Sequence, residues 1–154
     1  MAAPVMSHLI CSMALVVLIL VLPSFFIMER DNVAKEMATR ELKEISDYTS
    51  NTLENLFLLA NSTDSENLII TKELIYLPQK IEGSPYVLGI SSVDGMTGSQ
   101  VTASLADRSW VVGTSWLLPG LKIVPNNSLT IGDYVLEAVC ERNATGFYVW
   151  IRKG

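Results

Sequence analysis

The pattern of apolar and polar positions changes character twice along this chain. From Leu9 to Met28, twenty consecutive residues include no Asp, Glu, Lys, Arg or His. As a helix rising about 1.5 Å per residue they would cover ~30 Å, the thickness of a bilayer's hydrocarbon core. Beyond them, Val33, Met37, Leu42, Ile45, Tyr48, Leu53, Leu56 and Leu59 recur at steps of mostly three to five, close to the stripe of an amphipathic helix. Asp31 and Lys35, then Glu36 and Arg40, form i,i+4 pairs with the acid first, the favourable order on a helix. No stop signal occurs until the polar stretch NSTDSEN, residues 61–67. Pro23 is the one interruption; it removes a hydrogen bond and bends the rod, as is common in membrane helices. The pattern predicts one continuous or gently kinked helix over residues 7–60, roughly 80 Å long.

After Ser65 the period falls to two. LIITKELIYL (68–77), YVLGISSV (86–93), QVTASLA (100–106), SWVVGTSWLL (109–118), YVLEAVCER (134–142) and GFYVWIRK (146–153) read as strands. DGMTG and Asp107-Arg108 read as hairpin loops, NAT with Gly146 as a turn, and PGLKIVPNNSLTIGD as an irregular crossing. All nine glycines fall at or after Gly83, which sets helical grammar against the turn punctuation of a sheet. The predicted fold class is α+β: a long N-terminal transmembrane-plus-amphipathic helix followed by a small antiparallel β domain, a meander of six strands. The segments are 1–28 (membrane), 29–61 (amphipathic extension) and 62–154 (β domain). Ile45, Tyr48, Leu53 and Leu56 are the positions expected to pack the helix on the sheet.

Charge and chemistry narrow the functions. The net charge is −5 and no basic cluster occurs, which argues against a nucleic-acid partner. His8 is the only histidine, which removes Ser-His-Asp and Cys-His arrangements; no GxSxG, P-loop or dinucleotide fingerprint is present. Cys11 and Cys140 lie in different segments, without CxxC or HxxxH spacing, and read as small apolar fillers rather than a bridge or a metal site. Glu41 and Glu44 read as a solvated helix face, and Trp110, Trp116 and Trp150 as core or sheet-face side chains. No catalytic, cofactor or metal site is expected.

The apolar run has two other readings. A buried core helix would keep a polar face, yet only Ser12 and Ser24 break the run. A cleaved signal peptide would carry a basic n-region, which MAAPVMSH lacks, and a small-x-small site after the run. A retained membrane helix is the expectation, with Leu9, Ala14, Val17, Leu18, Leu22, Pro23 and Phe26 meeting lipid or other helices. Orientation stays open between two signals. Arg30, Lys35, Arg40 and Lys43 follow the run and would hold the β domain on the cytoplasmic side, but they interleave with acidic partners. Sequons at Asn61, Asn126 and Asn143, all in predicted loops, favour an extracytoplasmic β domain.

APVMSHLICSMALVVLILVL (3–22) resembles the proline-valine start and apolar run of archaeal type IV pilin-like proteins, and ELIYLPQKIEGSPYVLGI (73–90) is similar to a strand, Leu-Pro, turn, strand pattern of their head domains. The resemblance spans the chain in architecture through motifs of low specificity. It departs at residues 1–8, which lack the basic residue that precedes the apolar run in pilin precursors, and in having no glutamate near the start of that run. It implies a non-enzymatic structural subunit, or minor component, of a surface filament. Such a subunit is held first by membrane lipid and then by homo- or hetero-oligomeric packing with other pilin-like subunits through the N-terminal helix. The alternative is a single-pass anchored binding or adhesion module that does not polymerise.

Overall fold

Glycine-free sequence rich in Leu, with Ala and Glu, forms a single helix, α1 (Ala3–Asn61), with Pro23 inside it. The computed structural model describes residues 3–65, 67–92, 98–124, 127–132 and 134–154, with side chains from His8 onward. Two compact units divide the chain, one ending at Met37 and the other Ala38–Gly154. On the exposed face of α1, Arg40 pairs with Glu44 at 3.4 Å and Lys43 with Asp47 at 2.5 Å. Both are i,i+4 pairs with the base first, each supplying a few tenths of a kcal/mol at most.

α1 carries no basic residue in its last turn. A cation from elsewhere in the fold fills that role: Arg142 donates to the carbonyl of Ala60 at 3.2 Å and to that of Thr63. Ser62 and Thr63 hydroxyls take the Leu59 carbonyl, at 2.8 and 3.0 Å. The Leu59 and Ala60 carbonyls at the helix end are thereby partnered, with a positive charge at the negative end of the dipole. Phe57 stacks edge-on against Phe147, with ring centres 4.8 Å apart, and pins the same end.

Eight strands follow: β1 (Leu68–Glu73), β2 (Tyr86–Ser92), β3 (Ser99–Leu105), β4 (Val112–Trp116), β5 (Lys122–Ile123), β6 (Asn127–Thr130), β7 (Leu136–Asn143) and β8 (Gly146–Lys153). They form two four-stranded sheets, in the orders β1-β7-β8-β5 and β4-β3-β2-β6. All pairs are antiparallel except β5 with β8. The fold class is therefore α+β as the patterning predicts, but the chain is not a six-strand meander. β1 pairs across the sequence with β7, and the stretch read as an irregular crossing supplies β5 and β6. Strands of two and four residues have too few alternations to register as a period. The 68–77 run also stops early as a strand, at Glu73, and Ile75-Tyr76 form a turn. The DGMTG loop lies largely outside the described residues.

Within the unit Ala38–Gly154 the core gathers Ala38, Leu42, Ile45, Leu53, Leu56 and Ala60 of α1 with alternate residues of β2, β3, β7 and β8, among them Leu88, Val101, Cys140 and Ile151. Each large aliphatic side chain so buried contributes about 1.5–3 kcal/mol. Tyr86, fully buried at the start of β2, donates its hydroxyl to the Pro78 carbonyl at 2.8 Å, which satisfies the polar tip and fixes the loop before it.

α1 lies close against β4, an edge strand. Ser46 donates to the Gly113 carbonyl at 2.9 Å, Ser50 to the Trp116 carbonyl at 2.7 Å, and the Leu118 N–H donates to Glu54 at 3.1 Å. Spaced four apart, Ser46, Ser50 and Glu54 form a polar ladder on one helix face; the two serines give β4 hydrogen-bond partners that a further strand would otherwise supply, and Glu54 holds the chain just beyond it. Gly113 makes the approach possible, because a Cβ there would collide with the backbone of Leu42 and Lys43. Asn127 joins the two sheets: its amide donates to the Ile151 carbonyl and accepts from the Ile151 N–H, both at 2.8 Å. One side chain thus imitates a strand partner beyond the end of the short β5.

Candidate functional site

The apolar part of α1 is the feature with the most to explain. Its large side chains from Leu9 to Met28 are between 45% and 67% exposed, facing outward all round the helix. Its most apolar stretch has a mean hydropathy of 2.8 and none of it is buried. Fifteen large apolar side chains lie in that state. In water, at about 1 kcal/mol forgone for each half-exposed chain, the cost would be on the order of 15 kcal/mol. That equals the whole stability of an ordinary domain. Among the described residues this is the one helix long and apolar enough to cross a membrane.

Leu9, Val17, Leu18, Leu22 and Phe26 are exposed at 54%, 57%, 56%, 45% and 66%, and Ala14 and Pro23 are exposed with them. A shallow apolar trough runs along one face past Ala14, lined by Ile10, Met13, Val17, Leu18, Val21 and Leu22. A small residue flanked by large ones at helical spacing admits a neighbouring helix or an acyl chain. The two serines in the run spend their hydroxyls within the helix, Ser12 on the Leu9 carbonyl at 3.0 Å and Ser24 on the Leu20 carbonyl at 3.1 Å. Pro23 has no N–H to give the carbonyl one turn before it, a loss readily accommodated in membrane helices.

The positions assigned to helix–sheet packing sit as follows. Ile45, Leu53 and Leu56 are buried in the core, while Tyr48 is half-buried at its margin, edge-on to Tyr76 with ring centres 5.8 Å apart. Sequence reasoning passed over Ser46, Thr49, Ser50 and Thr52, which are as buried as the leucines. A run of small hydroxyl residues at spacing three and four, opposite a glycine in a strand, was the available signal.

Of the sequon asparagines, Asn61 is exposed at the end of α1, and Asn143 stands at the β7–β8 turn. There Asn143 Oδ1 accepts from the Thr145 N–H at 2.9 Å and from the Thr145 hydroxyl at 2.6 Å. Asn126 lies outside the described residues.

Two of the shallow grooves elsewhere on the surface lie against named elements. One, on the face of the β4-β3-β2-β6 sheet, is lined by Gly89, Ser91, Thr102, Ser104 and Ser128. The other lies between Glu41, Glu44, Ile45 and Tyr48 of α1 and Tyr76-Leu77-Pro78. Trp110 and Trp116, read as core or sheet-face residues, are exposed at 69% and 55%, and Trp110 lies in the turn before β4. The β3–β4 connection is longer than a tight Asp107-Arg108 hairpin and spans 106–111. Cys140 is buried, which pushes its thiol up to about 11, while Cys11 is free and exposed on the apolar helix. Burial opposes ionisation of Asp47, but hydrogen bonds from Lys43 and Ser115 and the Lys43 charge outweigh it and hold the carboxyl below its usual range. Among the described residues no three His, Cys, Asp or Glu side chains converge to ligate a metal. The arrangement offers surface and anchorage: an apolar helix, and a β unit built around the polar half of the same helix. Compared with protein-family models, curated proteins and solved structures, the chain matches none of them.

Proposed function

We propose that this chain is a non-enzymatic, membrane-anchored, pilin-like structural subunit, held by α1 in a single pass with the β unit on the extracytoplasmic side. The supporting observation is the run Leu9–Met28, apolar on every face and without a partner inside the fold. An apolar rod has two good environments, lipid or other rods of its kind. Anchorage uses the first, and entry into a surface filament exchanges it for the second. The polar ladder that fastens α1 to β4 suits that role, since it ties the β unit to the helix that carries it.

Replacing residues 9–28 with an unrelated transmembrane helix separates this function from mere anchorage. A packing subunit loses copy-to-copy crosslinking in membranes and any filament while remaining membrane-bound. Undiminished crosslinking and assembly after the exchange would show that the native helix is only an anchor, and the protein an anchored binding module. The N-terminus and mass of the protein from its native membranes report processing. Glycan on Asn61 or Asn143 in the same measurement places the β unit outside.

A further inference from the structure

One solvent-facing sheet face of the unit Ala38–Gly154 carries no charge at all. The outward positions of the β4-β3-β2-β6 sheet are 87, 89 and 91 on β2, 100, 102 and 104 on β3, 112, 114 and 116 on β4, and 128 and 130 on β6. None of these eleven is Asp, Glu, Lys or Arg, and none is buried; an ordinary protein surface is about a quarter to a third charged. The strand register sets them in rows. Ser128, Gly89, Thr102 and Thr114 form one row across the four strands, and Ser91, Gln100 and Trp116 form the row beside it. At the usual strand spacing the first row is about 14 Å long and lies about 7 Å from the second. Ser91, Thr102 and Ser128 line a groove of about 490 Å³ in which no lining residue is charged, a volume ordinary for a ligand site. The hydroxyls of Ser91, Thr102, Thr114 and Ser128 and the amide of Gln100 make no hydrogen bond among the described residues. Trp116, at the end of its row, leans over Gly98, where a Cβ would lie 3.2 Å from the ring, and is 55% exposed.

We infer that this face binds a neutral polysaccharide, laid across the strands with one sugar ring stacked on Trp116. The site belongs to the unit Ala38–Gly154 by itself and stands whether α1 anchors the chain or packs into a filament. A sugar ring has two kinds of surface, an apolar face of C–H groups and a rim of hydroxyls that each donate and accept. The sheet offers the counterpart of both: an open aromatic ring, and beside it hydroxyl and amide groups with free donors and acceptors. With no cation among them, the eleven positions have nothing to hold the phosphates of a nucleic acid or the carboxylates of an acidic polymer. With no carboxylate, they have nothing to hold a basic peptide. A second protein is a poorer match. Trp116 is the one aromatic side chain among the eleven, whereas stable protein contacts gather several large anchors around a dehydrated centre.

The full-length chain, in a detergent whose headgroup is not a sugar, tests this. The emission of the wild type minus that of Trp116→Phe reports Trp116 while linear hexasaccharides are added. The neutral ones are cello-, manno-, malto-, xylo- and N-acetylchitohexaose, and a heparin hexasaccharide is the charged counterpart. At least one neutral hexasaccharide should bind saturably and shift the difference emission, equally in low and high salt. Trp116→Ala should weaken that binding, followed by calorimetry, about tenfold or more, and Thr102→Val about fivefold, with the urea midpoints of both variants near that of the wild type. Binding that both variants leave unchanged overturns this face as the site. Binding of heparin alone, lost in high salt, overturns the neutral ligand. No binding of any neutral hexasaccharide at millimolar concentration overturns the inference outright. A Trp116 emission that shifts with protein concentration in the absence of sugar overturns it in favour of a second copy.

Discussion

Gly113→Ala measures how closely the helix and the sheet depend on each other. The added methyl would sit 2.6 Å from the Leu42 carbonyl oxygen and nearer still to the Leu42 carbonyl carbon and the Lys43 nitrogen, where ordinary contact begins at 3.4 Å. These are backbone atoms of a packed helix, so none can rotate away, and α1 and β4 must part by about 1 Å. Gly113 does not use a left-handed backbone, so alanine brings no torsional penalty and the whole effect is separation. Overpacking of this kind costs about 1–3 kcal/mol. Separation also stretches the bonds from Ser46 at 2.9 Å and from Ser50 at 2.7 Å, each contributing about 1 kcal/mol. The expected loss is about 3–5 kcal/mol, a large part of a domain's stability. The assay is urea unfolding of the full chain in detergent micelles, followed by tryptophan emission, with Trp116 at the contact. Gly120→Ala is the control. It stands in open space at φ +96°, so it carries only the left-handed penalty of roughly 1–2 kcal/mol. A Gly113→Ala loss no larger than that of Gly120→Ala would refute the close packing of α1 on β4.

Four further outcomes are expected. Asn127→Ala removes both 2.8 Å bonds to Ile151 and should cost about 2–3 kcal/mol in the same unfolding assay. Thr49 buries its hydroxyl without a partner, so Thr49→Val, of equal volume, should raise stability by about 1 kcal/mol. Asp47 has its folded pKa held below the usual 3.8; its contribution is present above that value and lost as pH falls through the folded value. The denaturation midpoint should therefore drop as the pH falls below about 4 and on through that folded value, with a smaller drop in Asp47→Asn. For the thiols, a maleimide should label Cys11 alone in the folded protein, with Cys140, buried and pushed up to about 11, reacting only after denaturation.

Much of the fold can be read from local pattern, because its largest element is a local structure. A helix over 3–61 needs no distant partner to declare itself, and the β8 bounds coincide with the run GFYVWIRK, rich in aromatic and β-branched residues, that follows the turn at NAT. What local pattern does not carry is pairing. Nothing in LIITKE indicates that it lies beside LEAVCE, some 70 residues on, rather than beside its successor; that choice is made by burying Leu136, Ala138 and Cys140 against α1. Ser46, Ser50 and Gly113 escaped notice for a related reason. Small residues announce close approach only when both partners are known, and the partner of this helix face lies 66 and 67 residues away. Trp110 misled in the opposite sense, since a large aromatic residue in a strand-like run suggests a core or a sheet face, and here it stands exposed in the turn before β4, whereas Trp116 does lie on that strand.

The internal bonding of Ser12 and Ser24 has a consequence for any assembly of such helices. A helix whose hydroxyls are already turned back on its own carbonyls offers a neighbour shape rather than hydrogen bonds. In an assembly, register along this run would be set by the notch at Ala14 between its large neighbours, and any polar indexing would come from beyond it, where ionised side chains and the β unit can distinguish one offset from another.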